Sequence, residues 1–399
     1  MKLRITVSVL LITAVIVGSL LIWKSTENSE TSETRESQTA TFVGVSTETA
    51  GNLTSNDRNN IFWTSEADDE GAVAFTTAPV YFPSLLRIKT GFAIPDSDSI
   101  LLLHQNLRDK DVYPIPGLNT GTQSSSGSSS NRKHGVYLFN IGNSTAPNAR
   151  KLISFNSDRF RIVDREKYVS APTACDDGTV KWLEFTPDNT TAAQGPGTAQ
   201  IVTWRADDTL EFSKISWEFS REPGHDNQLC CTSSLSRIIS EDDSGNPLVL
   251  LLEDRGKVTH VKDEIKISNP SLPAMARFST VFQETFYSFD EQNNLTAIDL
   301  ATGRLIYKKQ IDVKGPSPVS ITFDNDYAFL VIRPDRFDNK QAVLPIDLKN
   351  PQCTGAVAPL LGYEDTSQIS KIKRLGDSFM VATSVLPKDS DFTINCEGP

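Results

Sequence analysis

A polar turn that feeds straight into a short apolar strand recurs through the C-terminal part of the chain, and this recurrence limits the fold more than any other feature. The signature stands at Asn246-Pro247-Leu248, Glu284-Thr285-Phe286, Asn325-Asp326-Tyr327 and Gly376-Asp377-Ser378. Successive gaps are about 40, 40 and 50 residues, the length of one four-stranded unit in a repeat architecture. Two units continue into a matching second motif, Leu295-Thr296-Ala297-Ile298-Asp299-Leu300 and Val343-Leu344-Pro345-Ile346-Asp347-Leu348. Val136-Tyr137-Leu138-Phe139-Asn140-Ile141-Gly142 is a looser copy.

Elsewhere the pattern is the same in kind. Short apolar runs bounded by Gly, Asp, Asn or Pro stand at Ile61–Trp63, Ala72–Phe75, Ile100–Leu103, Val136–Phe139, Val180–Leu183, Ile201–Trp204, Leu248–Leu252, Phe286–Phe289, Tyr327–Ile332 and Phe379–Ala382. No long helical period interrupts them, so the class is all-β. In the clearest unit, Leu295 to Leu300 reads as a strand, Asp299 and Gly303 as turn formers, and Leu305, Ile306 and Tyr307 as the returning strand. The stretch Leu-Thr-Ala-Ile-Asp-Leu-Ala-Thr-Gly-Arg-Leu-Ile-Tyr resembles the inner blade hairpin of WD-like and quinoprotein-type (PQQ-like) β-propellers. That resemblance implies a propeller; with the repeat length it gives six to eight blades, seven being favoured. Such hairpins occur in enzymes and scaffolds alike, so the resemblance speaks to fold rather than function.

The N-terminus sets the compartment. Ile5 to Trp23 carries no charge and, at about 19 residues, is long enough to cross a bilayer as a helix. Lys2 and Arg4 precede it and Glu27, Glu30 and Glu33 follow Lys24, which places the body outside the cytoplasm. Residues 1–24 are therefore expected to be a signal-anchor at the cell membrane, with secretion the outcome if the segment is cleaved as a signal peptide. Residues 25–60, rich in Ser, Thr and Glu with Phe42, Val43 and Val45 as a brief apolar patch, read as a disordered stalk. Residues 61–399 form the extracytoplasmic propeller. Two stretches within it read as loops: Asn119 to Lys133, with its serine and glycine run, and Asp188 to Gly197.

Charge and site chemistry narrow the function mostly by exclusion. The chain carries a formal charge of −11, and its first 24 residues hold Lys2, Arg4 and Lys24 without an acid, so the remainder stands at −14. Nucleic acid and anionic lipid surfaces call for concentrated Lys and Arg and are disfavoured. The five cysteines are expected to pair in an oxidising exterior. Cys353 with Cys396 would pin the last strand, closing a loop of about 40 residues worth about 3–4 kcal/mol in the chain-entropy model. Cys175 would pair with Cys230 or Cys231. No Cys-x-x-Cys and no clustered histidine spacing is present among His104, His134, His225 and His260, so no metal or cofactor is expected. Asp242–Asn246 and Asp290–Asn294 miss the calcium-loop spacing and read as hairpin turns, while Asn52, Asn143, Asn189 and Asn294 match the glycosylation acceptor pattern. The expectation is a membrane-anchored module that binds a protein or small ligand on a loop face. The alternative is a propeller enzyme, a quinoprotein-type dehydrogenase or a hydrolase, with residues drawn from several blades.

Overall fold

The computed structural model describes residues 42–49, 60–65 and 75–77 and, with internal gaps of which the longest spans 360–378, residues 84–394. Every element in them is a β-strand. The first sheet combines β1 (Phe42–Thr49), β2 (Asn60–Ser65) and β3 (Phe75–Thr77) with the last strand, β27 (Phe379–Pro387), in the order β27-β1-β2-β3. The second is β4 (Leu86–Ile88), β5 (Gly91–Pro95), β6 (Ser99–His104) and β7 (Lys110–Pro114), and the third is β8 (Thr122–Ser128), β9 (Gly135–Asn140), β10 (Arg150–Phe155) and β11 (Phe160–Arg165). Next comes a seven-stranded sheet in two antiparallel halves. One half is β12 (Tyr168–Ala174), β13 (Val180–Pro187), β14 (Gly197–Trp204) and β15 (Leu210–Phe219); the other is β16 (Leu235–Glu241), β17 (Pro247–Asp254) and β18 (Val258–Lys266). Only two parallel pairs join the halves, Lys214↔Val258 and Ile215↔Thr259. Two four-stranded sheets follow, β19 (Phe278–Phe282) to β22 (Leu305–Gln310) through β20 (Thr285–Phe289) and β21 (Asn294–Asp299), and β23 (Ser320–Asp324) to β26 (Ala358–Pro359) through β24 (Tyr327–Ile332) and β25 (Ala342–Asp347).

Apolar clusters run from each sheet to the next and close into a circle. Ile88, Ile100 and Leu102 pack with Tyr137, Phe139 and Ile153, and Val136, Leu138 and Leu152 pack with Val180, Trp182 and Val202. Leu183, Ile201 and Ile215 meet Ile238, Leu250 and Leu252 between the two halves of the long sheet. Ile239 and Val249 meet Phe286 and Ile298, and Tyr287 and Leu295 meet Ala328, Leu330 and Leu344. Phe329, Val331 and Val343 then share one cluster with Phe42, Val45 and Val385 and with Phe92, Ile94 and Leu103, which returns the circle to the second sheet. First strands lie side by side at the inner edge, β4 beside β8, β8 beside β12, β19 beside β23 and β23 beside β27. This is a β-propeller arrangement. It explains the apolar runs: β6 is buried from Ser99 to Leu103 and β24 from Ala328 to Ile332 because both faces meet a neighbouring sheet.

Three expectations need correction. Phe42, Val43 and Val45 belong not to a stalk but to β1, fully buried between β2 and β27; their polar flanks disguise them because the strand is only eight residues long. The serine-rich run is not a loop but β8, an inner strand. Small side chains suit the close approach there: Ser84 Oγ lies 2.8 Å from Ser126 Oγ, and a β-carbon at Gly127 would stand 2.7 Å from the carbonyl oxygen of Pro172. The Leu295–Tyr307 hairpin is the third and fourth strand of its sheet rather than the inner pair. Residues 1–24, Cys230, Cys231 and Cys396 lie outside the described residues, and no helix among those described is long and apolar enough to cross a membrane.

The recurring motif does hold its place in two sheets. Phe286 pairs with Ile298 and Ala328 with Ile346. In both, the leucine that follows donates its amide to the turn between the first two strands, Leu300 to Glu284 O at 2.8 Å and Leu348 to Asp326 O at 2.7 Å. Asp299 accepts from the Ala301 amide and the Thr302 hydroxyl, which holds its carboxyl below the usual range, and Gly303 sits at φ 67°. The Val136–Gly142 copy forms β9, a second strand, and is out of phase. A chain starting at Ala40 should retain full stability, whereas one starting at Ile61 loses β1. Burial of Phe42, Val43 and Val45 is worth about 5 kcal/mol together, so the second chain should show a clearly lower urea midpoint; equal midpoints would refute the closing role of β1.

Candidate functional site

A groove of about 970 Å³ opens between the two halves of the seven-stranded sheet. The register explains its lining. Lys181, Thr203 and Glu211 pair in one row across β13, β14 and β15, and Leu183, Ile201 and Ser213 in the next. All six side chains therefore share a face, the one whose Leu183 and Ile201 pack toward β16, β17 and β18. From the other half, Ser236 pairs with Leu252 and Asp254 with Thr259. Lys181, Ile201, Glu211, Ser236, Leu252, Asp254 and Thr259 all line the groove, joined by Arg205 and Lys257 from hairpin turns.

One side of the groove is fixed by hydroxyls. Ser213 Oγ and Thr259 Oγ1 stand 2.6 Å apart, both buried, and Ser216 Oγ donates to Thr259 O at 3.3 Å. These bonds cross from β15 to β18, where the backbone ladder is only two pairs long. At the mouth, Arg205 Nη2 donates to Glu211 Oε2 at 2.7 Å. That bond holds the Glu211 carboxyl below its ordinary range and raises the Arg205 guanidinium. Asp254 Oδ1 accepts the Gly256 amide at 2.9 Å, and Gly256, at φ 87°, lets the β17–β18 turn close. Lys257 makes no side-chain hydrogen bond or ion pair with a described residue. Four cations, Lys181, Arg205, Lys214 and Lys257, thus line the groove with two carboxylates that already have partners, beside the apolar Ile201 and Leu252. Such a site can hold an anion and cover an apolar group beside it. Neither carboxylate is disposed as a free base, and no histidine among the described residues lines the groove.

The residues singled out from sequence lie elsewhere. Cys175 closes the β12–β13 turn, its amide donating to Thr179 O at 2.8 Å, and Cys353 sits in the turn after β25, its amide donating to Asn350 O at 2.7 Å. Both are buried and disulfide-bonded. His104 lies 3.2 Å from Asp111 on the surface, His134 packs in the β8–β9 turn, pushed down by burial, and His225 falls outside the described residues. Asp242 and Asp290 each accept from the backbone two residues on and from the asparagine four residues on, so their oxygens serve turns. Asn294, an acceptor-pattern residue, spends its amide nitrogen on both oxygens of Asp290; Asn52, Asn143 and Asn189 fall outside the described residues. Trp182 and Trp204 meet edge to face at 6.3 Å in the core. Among the described residues, no group of three or more metal-capable side chains gathers.

No family model and no curated protein matches the chain. Solved structures do resemble it. An oligogalacturonate lyase in complex with manganese aligns at 9% identity over 72% of this chain and 87% of that one, with a TM-score of 0.44. A Mycobacterium tuberculosis puromycin-hydrolyzing peptidase aligns at 11% identity over 80% of this chain and 53% of that one, with a TM-score of 0.47. Prolyl oligopeptidase B from Galerina marginata aligns at 10% identity over 79% and 51%, with a TM-score of 0.42. The chain spans about half the length of the two peptidases. With each TM-score below 0.5, the propeller assignment rests on strand order and closure, and none of those proteins' chemistry is transferred.

The groove residues had no local signal: Lys181, Glu211 and Lys257 become neighbours only through register and the meeting of two sheet halves. Thr259→Val keeps the volume but strands the Ser213 hydroxyl. It should lower unfolding free energy by about 1–2 kcal/mol, measured by denaturant titration, while Ser213→Ala combined with Thr259→Val should recover part of that loss.

Proposed function

We propose that the chain is a seven-bladed propeller, counting the two halves of the long sheet as separate blades, that acts as a ligand-binding module outside the cytoplasm. Its N-terminal apolar segment, Ile5 to Trp23, serves as the membrane anchor. Disulfides from Cys353 to Cys396 and from Cys175 to Cys230 or Cys231 secure it, and the Asp299–Gly303 hairpin supports kinship in shape with WD-like and quinoprotein-type repeats. The ligand is a small organic anion with an apolar part, held in the groove between β13–β15 and β16–β18.

One observation carries this reading: Arg205, Lys181 and Lys257 gather around a groove whose carboxylates, Glu211 and Asp254, are committed to Arg205 and to the Gly256 amide. The groove's volume falls within the range of small-molecule sites. A surplus cation beside apolar surface selects an anionic ligand, since a cationic one would meet repulsion and a neutral one would leave the charge desolvated.

Calorimetric titration with a panel of small aromatic and aliphatic carboxylates and phosphates checks this. Binding should weaken with salt, and Lys257→Ala should reduce affinity about tenfold, the worth of one charge-assisted hydrogen bond. Glu211→Gln, which releases Arg205, should strengthen it. Unchanged affinity in Lys257→Ala would remove the groove from consideration, and turnover of a bound compound would move the assignment to the enzyme alternative.

A further inference from the structure

Away from the groove, the ends of four inner-edge segments meet at one charged junction. Asp324, at the end of β23, accepts from Arg87 Nε of β4 at 3.0 Å through one oxygen and from Arg132 Nη2 of the β8–β9 turn at 3.1 Å through the other. Arg87 is buried and fully spent: its remaining nitrogens donate to the carbonyls of Pro387 and Lys388 at the end of β27. Arg132 differs. It gives one nitrogen to Asp324, while its Nε and Nη1 bond no described residue, so a two-donor edge of the guanidinium stays open.

The backbone holds Arg132 in place for this. Its φ is 58°, left-handed and unfavourable for a side chain of this size. The turn enforces it. The Arg132 amide donates to Ser129 O at 2.9 Å, its carbonyl accepts from Lys89 N at 2.7 Å, and Asn131 Oδ1 accepts from Lys133 N at 2.9 Å. Strain maintained by so many bonds points to a function for the side chain. Lys89 and Lys133 are exposed on the same converging segments; of the carboxylates around them, Asp324 is shared by the two guanidiniums, Asp176 is spent on Ser130 and the Asn131 amide, and Asp389 lies near Arg87.

We infer that this junction is an anion-binding site at the inner edge of the propeller, which takes a phosphate group through the open edge of Arg132. Asp324 is shared by two guanidiniums and so offsets the charge of Arg132 only in part, and a guanidinium edge matches the spacing of two phosphate oxygens. The exposed Lys89 and Lys133 on the flanking segments favour a dianion over a monocarboxylate. Arg87, bound to Asp324 and to the end of β27, gives the site a rigid base.

Titration of the full chain with inorganic phosphate, followed by phosphorus line broadening and calorimetry, tests the site, with acetate as the monoanion arm. Saturable phosphate binding is expected, with acetate at least about tenfold weaker. Arg132→Gln should abolish it, Arg132→Lys should leave an intermediate affinity because charge remains but the two-donor edge is lost, and Lys167→Gln, an exposed lysine on the β11–β12 turn, should change nothing. Thermal melts of each variant establish that it is folded. Phosphate binding that survives in folded Arg132→Gln, or that is lost only in Lys257→Ala, would overturn the inference; in the second case the groove is the phosphate site. If Arg132→Gln does not fold, an unchanged affinity in Arg132→Lys overturns it equally.

Discussion

The pairing of β1 with β27 holds the whole fold shut. Eight residues of β1, Phe42 to Thr49, face the last strand in antiparallel register, and no later connection of the backbone could substitute for them. Bringing together chain segments some 340 residues apart costs roughly 5 kcal/mol of loop entropy. Burial of Phe42, Val43, Val45, Val385 and Leu386 returns about 1.5–3 kcal/mol each, enough to exceed that cost. Phe392, just beyond β27, packs at 6.1 Å from Phe42 and 5.5 Å from both Phe329 and Tyr327, so the clasp extends past the ladder onto the neighbouring sheet. Once the circle is closed, the inner and middle strands are dry on both faces while outer strands such as β7 and β22 stay exposed, and continuous apolar strands such as Tyr327–Ile332 become stable rather than aggregation-prone.

What could be read from the sequence follows from this. The 40-residue recurrence was legible because the turn between the first two strands is held by the same bond in successive sheets, Leu300 to Glu284 and Leu348 to Asp326. Identical geometry calls for similar residues. The inner strand β8 was not legible, because its position demands small side chains, and Ser125, Ser126 and Gly127 satisfy that demand with the same residues that make a loop. Gln123 shows the difference only in three dimensions, where its Oε1 accepts the Ser84 amide at 2.8 Å. The closing strand was hidden for a related reason: Phe42, Val43 and Val45 look isolated until the other end of the chain supplies their neighbours.

The groove was invisible for a deeper reason. Charged residues alternate along β13 and β15 in many places, and alternation alone does not separate structural charges from available ones. Glu184 makes the contrast plain. It is almost fully buried, yet Arg165 reaches it at 2.5 and 3.1 Å, Trp182 Nε1 at 3.1 Å and Gln200 Nε2 at 2.9 Å. All its acceptor capacity is used, and removing one partner would leave a buried charge exposed to a low dielectric. That network binds one sheet to the next and has nothing left for a ligand.

Unspent capacity therefore separates a site from a brace. Arg87 and Glu184 are braces because each nitrogen of the one and each oxygen of the other has a partner in the fold. Lys257 stands differently, since its ammonium has no partner among the described residues and the adjacent Glu211 and Asp254 are engaged elsewhere. Lys257 is exposed, so water solvates its ammonium in the empty groove, and an added surface acid would stabilise the fold by no more than about 1 kcal/mol. The groove keeps its acids in the Arg205 pair and the Gly256 turn, which preserves a positive surplus between the two halves of the long sheet.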